Sequence, residues 1–293
     1  MFLLLILEKA YFFPCQGVCM DKKKNLPLFS QCSAVVCDLD GTLYLDGVPF
    51  PDSAPFLNAV LASGRRLFYF TNNTSRSRSS YLHRLERFGF PAAEEMLITA
   101  ADCTFQYLRQ QQLCPEIYLI GNRELQRDFH NHGFRCLTKP EGDEGNPPRA
   151  LVLGFDTELD YEKIKTGYQL LMQDIPYIAT HADLLCPMNH GAFIPDAGCF
   201  IELFAAASGR RPLVMGKPSR FAAQTISDRA QSAYERIAFI GDRLYTDIRM
   251  AERFNMIGVL VLSGETSEKM AADSPDQAKI VVNGIGDLIN ALG

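Results

Sequence analysis

The segment that most constrains this chain is residues 34–44, AVVCDLDGTLY, an apolar run that ends on two carboxylates two residues apart. Alternate side chains of an extended segment point the same way and lie about 6.6 Å apart at the usual strand rise. Asp38 and Asp40 can therefore share one small ligand. A buried strand that stops at charge stops at the edge of a sheet, and open α/β sheets bind ligands at the edge formed by the carboxyl ends of their strands. Gly41 lets the chain turn at once. Taken alone, Asp-x-Asp-Gly is also an ordinary turn after a strand. Partners that follow in order are what give it chemical meaning.

A chain of 293 residues is long enough for two compact units or one large one. With 47% hydrophobic and 22% charged residues it has the composition of a globular protein, and a net charge of -5 leaves no electrostatic footprint for nucleic acid or an acidic membrane. Nine cysteines are scattered without a Cys-x-x-Cys pair or zinc spacing, which predicts a reduced, cytoplasmic protein. Residues 2–7 are apolar, but Glu8 and Lys9 interrupt them and the run is far too short to span a bilayer of about 30 Å. No membrane partner is expected. Met20 opens a Met-Asp-Lys-Lys-Lys start, so residues 1–19 read as dispensable and residues 1–30 as an N-terminal extension, with its disorder left open.

Apolar periodicity predicts a helix over 52–64 and a second strand over 66–70, a βαβ unit that ends in Thr71-Asn72-Asn73. Helices over 75–88 and 99–113 follow, the first with Arg76, Arg78, Arg84 and Arg87 as solvated charge. Strands at 117–121, 134–137, 150–155 and 177–180, separated by helices over 124–132 and 161–172, describe a second α/β unit. Residues 139–148 read as a surface loop and 181–198, rich in Pro and Gly, as irregular. After a helix over 199–208, the apolar stretch 212–215 leads into Gly216-Lys217-Pro218-Ser219, and 236–240 leads into Gly241-Asp242 and on to Asp247. Strands at 257–262 and 279–282 and a helix over 287–292 complete an α/β, doubly wound parallel-sheet pattern.

Apolar segments thus deliver Asp38 and Asp40, Thr71, Lys217, and Asp242 with Asp247 toward one sheet edge. Each residue alone has a plain reading: the lysine is a solvated strand end, and Asp247 a cap for a helix over 248–254. Together they are hard to explain structurally. Carboxylates gathered in one crevice need a cation, and hard oxygen ligands beside an anion site favour Mg²⁺. Lys217 and the Thr71 hydroxyl supply what a phosphate needs, and an Asp can serve as nucleophile. The set describes phosphoryl transfer.

These residues resemble the haloacid dehalogenase superfamily, whose four motifs match Asp38-Leu39-Asp40-Gly41-Thr42, Thr71-Asn72-Asn73, Lys217-Pro218 and Gly241-Asp242 with Asp247. The resemblance is strongest to the type IIA capped phosphatases. It implies a core of residues 31–99 and 191–293 with an α/β cap inserted at 100–190. It also implies Asp38 as nucleophile, Asp40 as general acid and then base, Thr71 and Asn72 holding the phosphoryl group, and Lys217 offsetting its charge. Mg²⁺ would be ligated by Asp38, the Asp40 carbonyl and Asp242, with Asp247 behind them orienting a bound water or Lys217. His181-Ala182-Asp183 stands where relatives commonly carry Asn-x-Asp, so Asp183 is expected in the loop that meets substrate, a surface turn being its plain alternative. Tyr245 stands where they commonly carry Asp. His181 and His190 are left out of the catalytic set. The implied function is Mg²⁺-dependent hydrolysis of a small phosphorylated metabolite, of the sugar phosphate, phosphoglycolate, nucleotide or pyridoxal phosphate type, with a homodimer left open. A phosphomutase of the same superfamily and a receiver-like signalling module are the alternatives.

Overall fold

Ala34–Asp38 is buried along its first four residues and pairs in parallel on both sides, with Ile237–Gly241 and with Arg66–Thr71. A strand covered on both faces needs an unbroken apolar run, which is what this segment is. In this computed structural model, which describes residues 25–141, 146–187 and 192–292, it lies within a six-stranded parallel sheet. The sheet order is Ile280–Val282, Ile257–Val261, Ile237–Gly241, Ala34–Asp38, Arg66–Thr71 and Leu97–Thr99. The chain winds outward from Ala34–Asp38 in one direction through residue 99 and later in the other through residue 282. The strand end carrying Asp38 is therefore the point where winding reverses, and such a point opens a crevice at the carboxyl edge.

A second sheet of five parallel strands has the order Leu213–Val214, Tyr177–Ala179, Leu151–Leu153, Glu116–Ile120 and Arg135–Leu137. Helix Ala100–Gln110 begins where Leu97–Thr99 ends, because Thr99 and Asp102 form a reciprocal capping box. Phe105 on that helix packs edge-on against Phe129 at 4.7 Å and joins the apolar layers of the two sheets.

The structure departs from the sequence reading at several elements. Leu97–Thr99 is a short strand that the sequence reading leaves out, and Thr99 caps the helix that begins at Ala100. Residues 181–198 are not all irregular: Leu185–Pro187 and Phe193–Pro195 pair as an antiparallel hairpin. Strand Leu213–Val214, with Met215 and Gly216 bonded onward to Ala179 O and Thr180 O, belongs to the second sheet although it lies beyond residue 190. Leu26–Gln31, assigned to the extension, forms a short 3₁₀ helix whose Phe29 is fully buried and meets the Phe56 ring at 6.2 Å. Residues 1–24 and His190 lie outside the described residues.

Among the described residues no disulfide is formed, and no helix is long and apolar enough to cross a membrane. Arg78, expected as solvated charge, is mostly buried. It reaches Asp102 at 2.8 Å and the carbonyls of Leu97, at 2.9 Å, and Glu94. It locks helix Arg78–Arg87 to the strand and helix that follow. Arg78→Ala leaves Asp102 and two carbonyls short of a donor, so it should lower stability by about 2–3 kcal/mol while kcat in the cold is unchanged. Thermal unfolding of the two proteins checks this, and an unshifted midpoint would assign the side chain no structural role.

Candidate active site

Four strand ends converge at the reversal point. Asp38 closes the central strand, and Lys217 Nζ lies 2.5 Å from its Oδ1 and 2.8 Å from Asp247 Oδ1. Lys217 and Asp247 are almost wholly buried. Asp242 follows Ile237–Gly241, and carboxylate oxygens of Asp38, Asp242 and Asp247 lie within 4.8 Å of one another. Asp247 does not take its plain alternative role as a helix cap, and instead meets Lys217 as the resemblance implies. Leu244–Ile248 is a π-helical turn, in which Ile248 N bonds to Arg243 O at 3.2 Å, and the widened turn swings Asp247 under the site. Two glycines make room for Asp242. Gly41, at φ +86°, and Gly264 each lie where an added Cβ would collide with its carboxylate.

The second and third motifs are pinned to each other. Asn72 Oδ1 accepts from Lys217 N at 2.9 Å, while Asn72 Nδ2 donates to Lys217 O at 3.1 Å and to Asp183 Oδ1 at 3.0 Å. The Asn72 side chain thus orients the lysine loop and the 181–183 loop together. Thr71 Oγ1 accepts from Asn73 N at 3.2 Å, and Tyr44 OH donates to Asp40 Oδ2 at 3.4 Å.

Asp38, Asp40, Thr71, Asn72 and Lys217 line a crevice of about 50 Å³. Asn73, Asp183, Cys186, Asp196, Arg243 and Thr246 line it as well. The sequence-predicted residues therefore come together, Asp183 included, with Asp242 and Asp247 directly behind Asp38. Arg243 and Asp196 were missed. The only sequence signals were the position of Arg243 directly after Asp242 and that of Asp196 one residue before a helix. His181 does not reach the crevice: it is fully buried, with its ring nitrogens 2.9 Å from Thr180 Oγ1 and Asp196 Oδ1. Arg76 is exposed and Arg78 is committed elsewhere.

Burial pushes the Asp38 carboxyl well above the usual carboxylate range, against the pull of Lys217 and with the help of Asp247 and Asp242. Asp242 is pushed up to about 7 by burial and then by Asp247. Burial alone would lower Lys217, but Asp247 and Asp38 outweigh it and hold the ammonium charged. Burial raises Asp40 as well, opposed by Arg84 and Arg243, which suits a group that must carry a proton to a leaving group. The donor set is all carboxylate oxygen, and among the described residues the buried Asp242 Oδ1 has no hydrogen-bond partner. An orphaned oxygen and two mutually repelling neighbours fit a hard divalent cation.

Fold and site define a capped α/β phosphotransfer enzyme built on an aspartate at a winding reversal. Comparison with known proteins agrees. Residues 35–135 match the haloacid dehalogenase-like hydrolase family and residues 214–288 the HAD-hydrolase-like family. The chain is 30% identical to glycerol-3-phosphate phosphatase of Homo sapiens, over 90% of this chain and 92% of that one. It is also 30% identical to chronophin of Rattus norvegicus, over 91% and 90% respectively. Its fold overlays the crystal structure of a 4-nitrophenylphosphatase from Thermotoga maritima with a TM-score of 0.84 at 32% identity, covering 91% of this chain and 99% of that one. The chain belongs to the haloacid dehalogenase-like hydrolases, in their type IIA group, and is a phosphoric monoester hydrolase.

The raised carboxyls set a pH dependence. An acid whose folded pKa stands at about 7, against about 4 when unfolded, holds a proton in the fold that the unfolded chain releases. The metal-free fold therefore loses stability as pH rises through that window. A cation that binds the ionised cluster restores it by mass action. The rise in melting temperature on adding Mg²⁺ to chelated protein should grow between about pH 5 and pH 8. A gain that is flat or shrinks over that range would contradict the cation assignment.

Proposed function

We propose that the chain hydrolyses phosphate monoesters of small metabolites through a phosphorylated Asp38. The observation that carries this reading is the contact of Lys217 Nζ with Asp38 Oδ1 in the crevice that also holds Asp40. The names of relatives, one acting on glycerol 3-phosphate and one on 4-nitrophenyl phosphate, point the same way.

In this reading an Asp38 oxygen attacks phosphorus as the bond to the ester oxygen breaks, and Asp40 delivers its proton to that oxygen, releasing the alcohol. Asp40 then takes a proton from the water that attacks the aspartyl phosphate, which frees inorganic phosphate and restores Asp38. Lys217 and the Thr71 hydroxyl face the charge on the transferring group, and Asp247 holds the lysine in place. Asn72 fixes the lysine loop against Thr71's strand. Asp38, Asp242 and the Asp40 carbonyl, with Asp247 adjoining, are the oxygens that would hold Mg²⁺, which when bound neutralises developing phosphoryl charge. The aligned relatives, together with the cap-like second sheet, support an enzyme over a receiver module, and release of free phosphate separates hydrolase from mutase.

Asp38→Asn should fold and yet lose at least about a thousandfold in kcat, since the covalent route is gone; substantial residual turnover would contradict the assignment. Asp40→Asn should cost about 10²–10⁴-fold on an alkyl phosphate but clearly less on p-nitrophenyl phosphate, whose leaving group needs no proton. Equal losses on both esters would remove Asp40 from the acid role. Ca²⁺ takes more oxygen ligands in looser geometry than Mg²⁺, so exchanging one for the other should stop turnover in a steady-state assay. Equal rates with the two ions would sink this part of the reading.

A further inference from the structure

We infer that Tyr44 is a positioning residue for the proton that Asp40 gives to the leaving group, an inference that rests on the acid role proposed for Asp40 above. The turn after the central strand brings the two side chains together. Leu43 N donates to Leu39 O at 2.9 Å and Gly41 N to Tyr44 O at 2.8 Å, so the chain doubles back and sets Tyr44 beside Asp40. Tyr44 then pairs with Pro49 in the hairpin of Tyr44–Leu45 and Val48–Pro49. The phenol is fully buried, with the Phe88 ring 5.2 Å away and the Arg84 guanidinium 5.6 Å from its ring centre. A tyrosine buried this deeply has to place its hydroxyl on a partner, and that partner is Asp40 Oδ2, at 3.4 Å. The distance is long for an O–H···O bond, as contacts to a catalytic acid commonly are before substrate engages it.

A protonated carboxyl carries its hydrogen on one oxygen and accepts at the other. With Tyr44 donating to Oδ2, the hydrogen of Asp40 belongs on Oδ1, which no hydrogen bond reaches among the described residues, on a side chain that lines the crevice. As an Asp38 oxygen bonds to phosphorus and the ester P–O bond breaks, the electron pair left on the ester oxygen takes that hydrogen. Asp40 is then a carboxylate until it takes a proton from the attacking water. Held by Tyr44, the O–H is presented in one orientation; without the phenol the carboxyl turns about its side-chain bonds and fewer encounters are productive.

Because kcat/KM covers the steps through alcohol release, its dependence on leaving-group basicity isolates the proton delivered to the ester oxygen. The native enzyme and its variants are compared with Mg²⁺ on substituted phenyl phosphates, from p-nitrophenyl to p-methylphenyl. Tyr44→Phe keeps the ring against Phe88 and removes only the hydroxyl. It should lower kcat/KM by about 10–100-fold on the ester with the most basic leaving group and by no more than about threefold on p-nitrophenyl phosphate, steepening the dependence. Tyr81 is the control, a second buried tyrosine whose hydroxyl donates to Asn73 O at 3.1 Å, so Tyr81→Phe should change all the esters by one common factor. Adding Tyr44→Phe to Asp40→Asn should leave the slope of the single variant unchanged, because the acid on which the phenol acts is gone. No change in Tyr44→Phe, a loss shared equally by all the esters, or a further steepening in the double variant would overturn the proposal. If Asp40→Asn alone kept the native slope, the acid role itself would fall, and the role of Tyr44 with it.

Discussion

The site depends on one buried ammonium held between two carboxylates. Lys217 Nζ bridges Asp38 and Asp247, and Asp242 stands within reach of both carboxylates. Three carboxylates against one ammonium leave two negative charges in a water-poor crevice. Isolated burial of such a cluster is costly, and its strain is visible in the raised carboxyls of Asp38 and Asp242. A divalent cation closes the charge count, and the phosphoryl group then enters a site whose positive groups are already positioned.

Lys217 owes its place to both sheets. The second sheet's hydrogen bonding runs on past Leu213–Val214 through Met215 and Gly216, ending one residue before the lysine. From the core side, Asn72 binds the Lys217 N–H and carbonyl, and Gly216 has no room for a side chain against Asn72 and Thr180. Asn72 also reaches Asp183, so a single amide ties Lys217 to the 181–183 loop. Asn72 is thereby the shared anchor of the 181–183 loop and the lysine loop.

Much of this was legible in the sequence because buried parallel strands must be continuous apolar runs. Ala34–Asp38, Arg66–Thr71, Ile237–Gly241 and Ile257–Val261 announce themselves, and each of the first three puts its polar motif at or directly after the strand end. What stayed hidden depends on partners distant in the chain. Leu213–Val214 is two residues long, and nothing local says that it pairs with Tyr177–Ala179 instead of the core. Leu97–Thr99 is three residues long and runs into its helix with no intervening loop, so nothing local sets it apart as a strand. The hairpin at Leu185–Pro187 and Phe193–Pro195 is masked by prolines that sit at its strand ends. Arg243 and Asp196 become site residues only once the 181–183 loop meets the core, and His181, left out of the catalytic set, finds its buried role only with Asp196, fifteen residues on.

The most direct test of the account is the covalent adduct. Enzyme mixed rapidly with a phosphate-labelled ester and Mg²⁺, quenched in acid within the first turnover and digested, should carry label on the peptide containing Asp38, as an acyl phosphate that hydroxylamine releases. Label on any other residue, or turnover with no labelled protein at any quench time, would contradict the central claim that Asp38 takes the phosphoryl group.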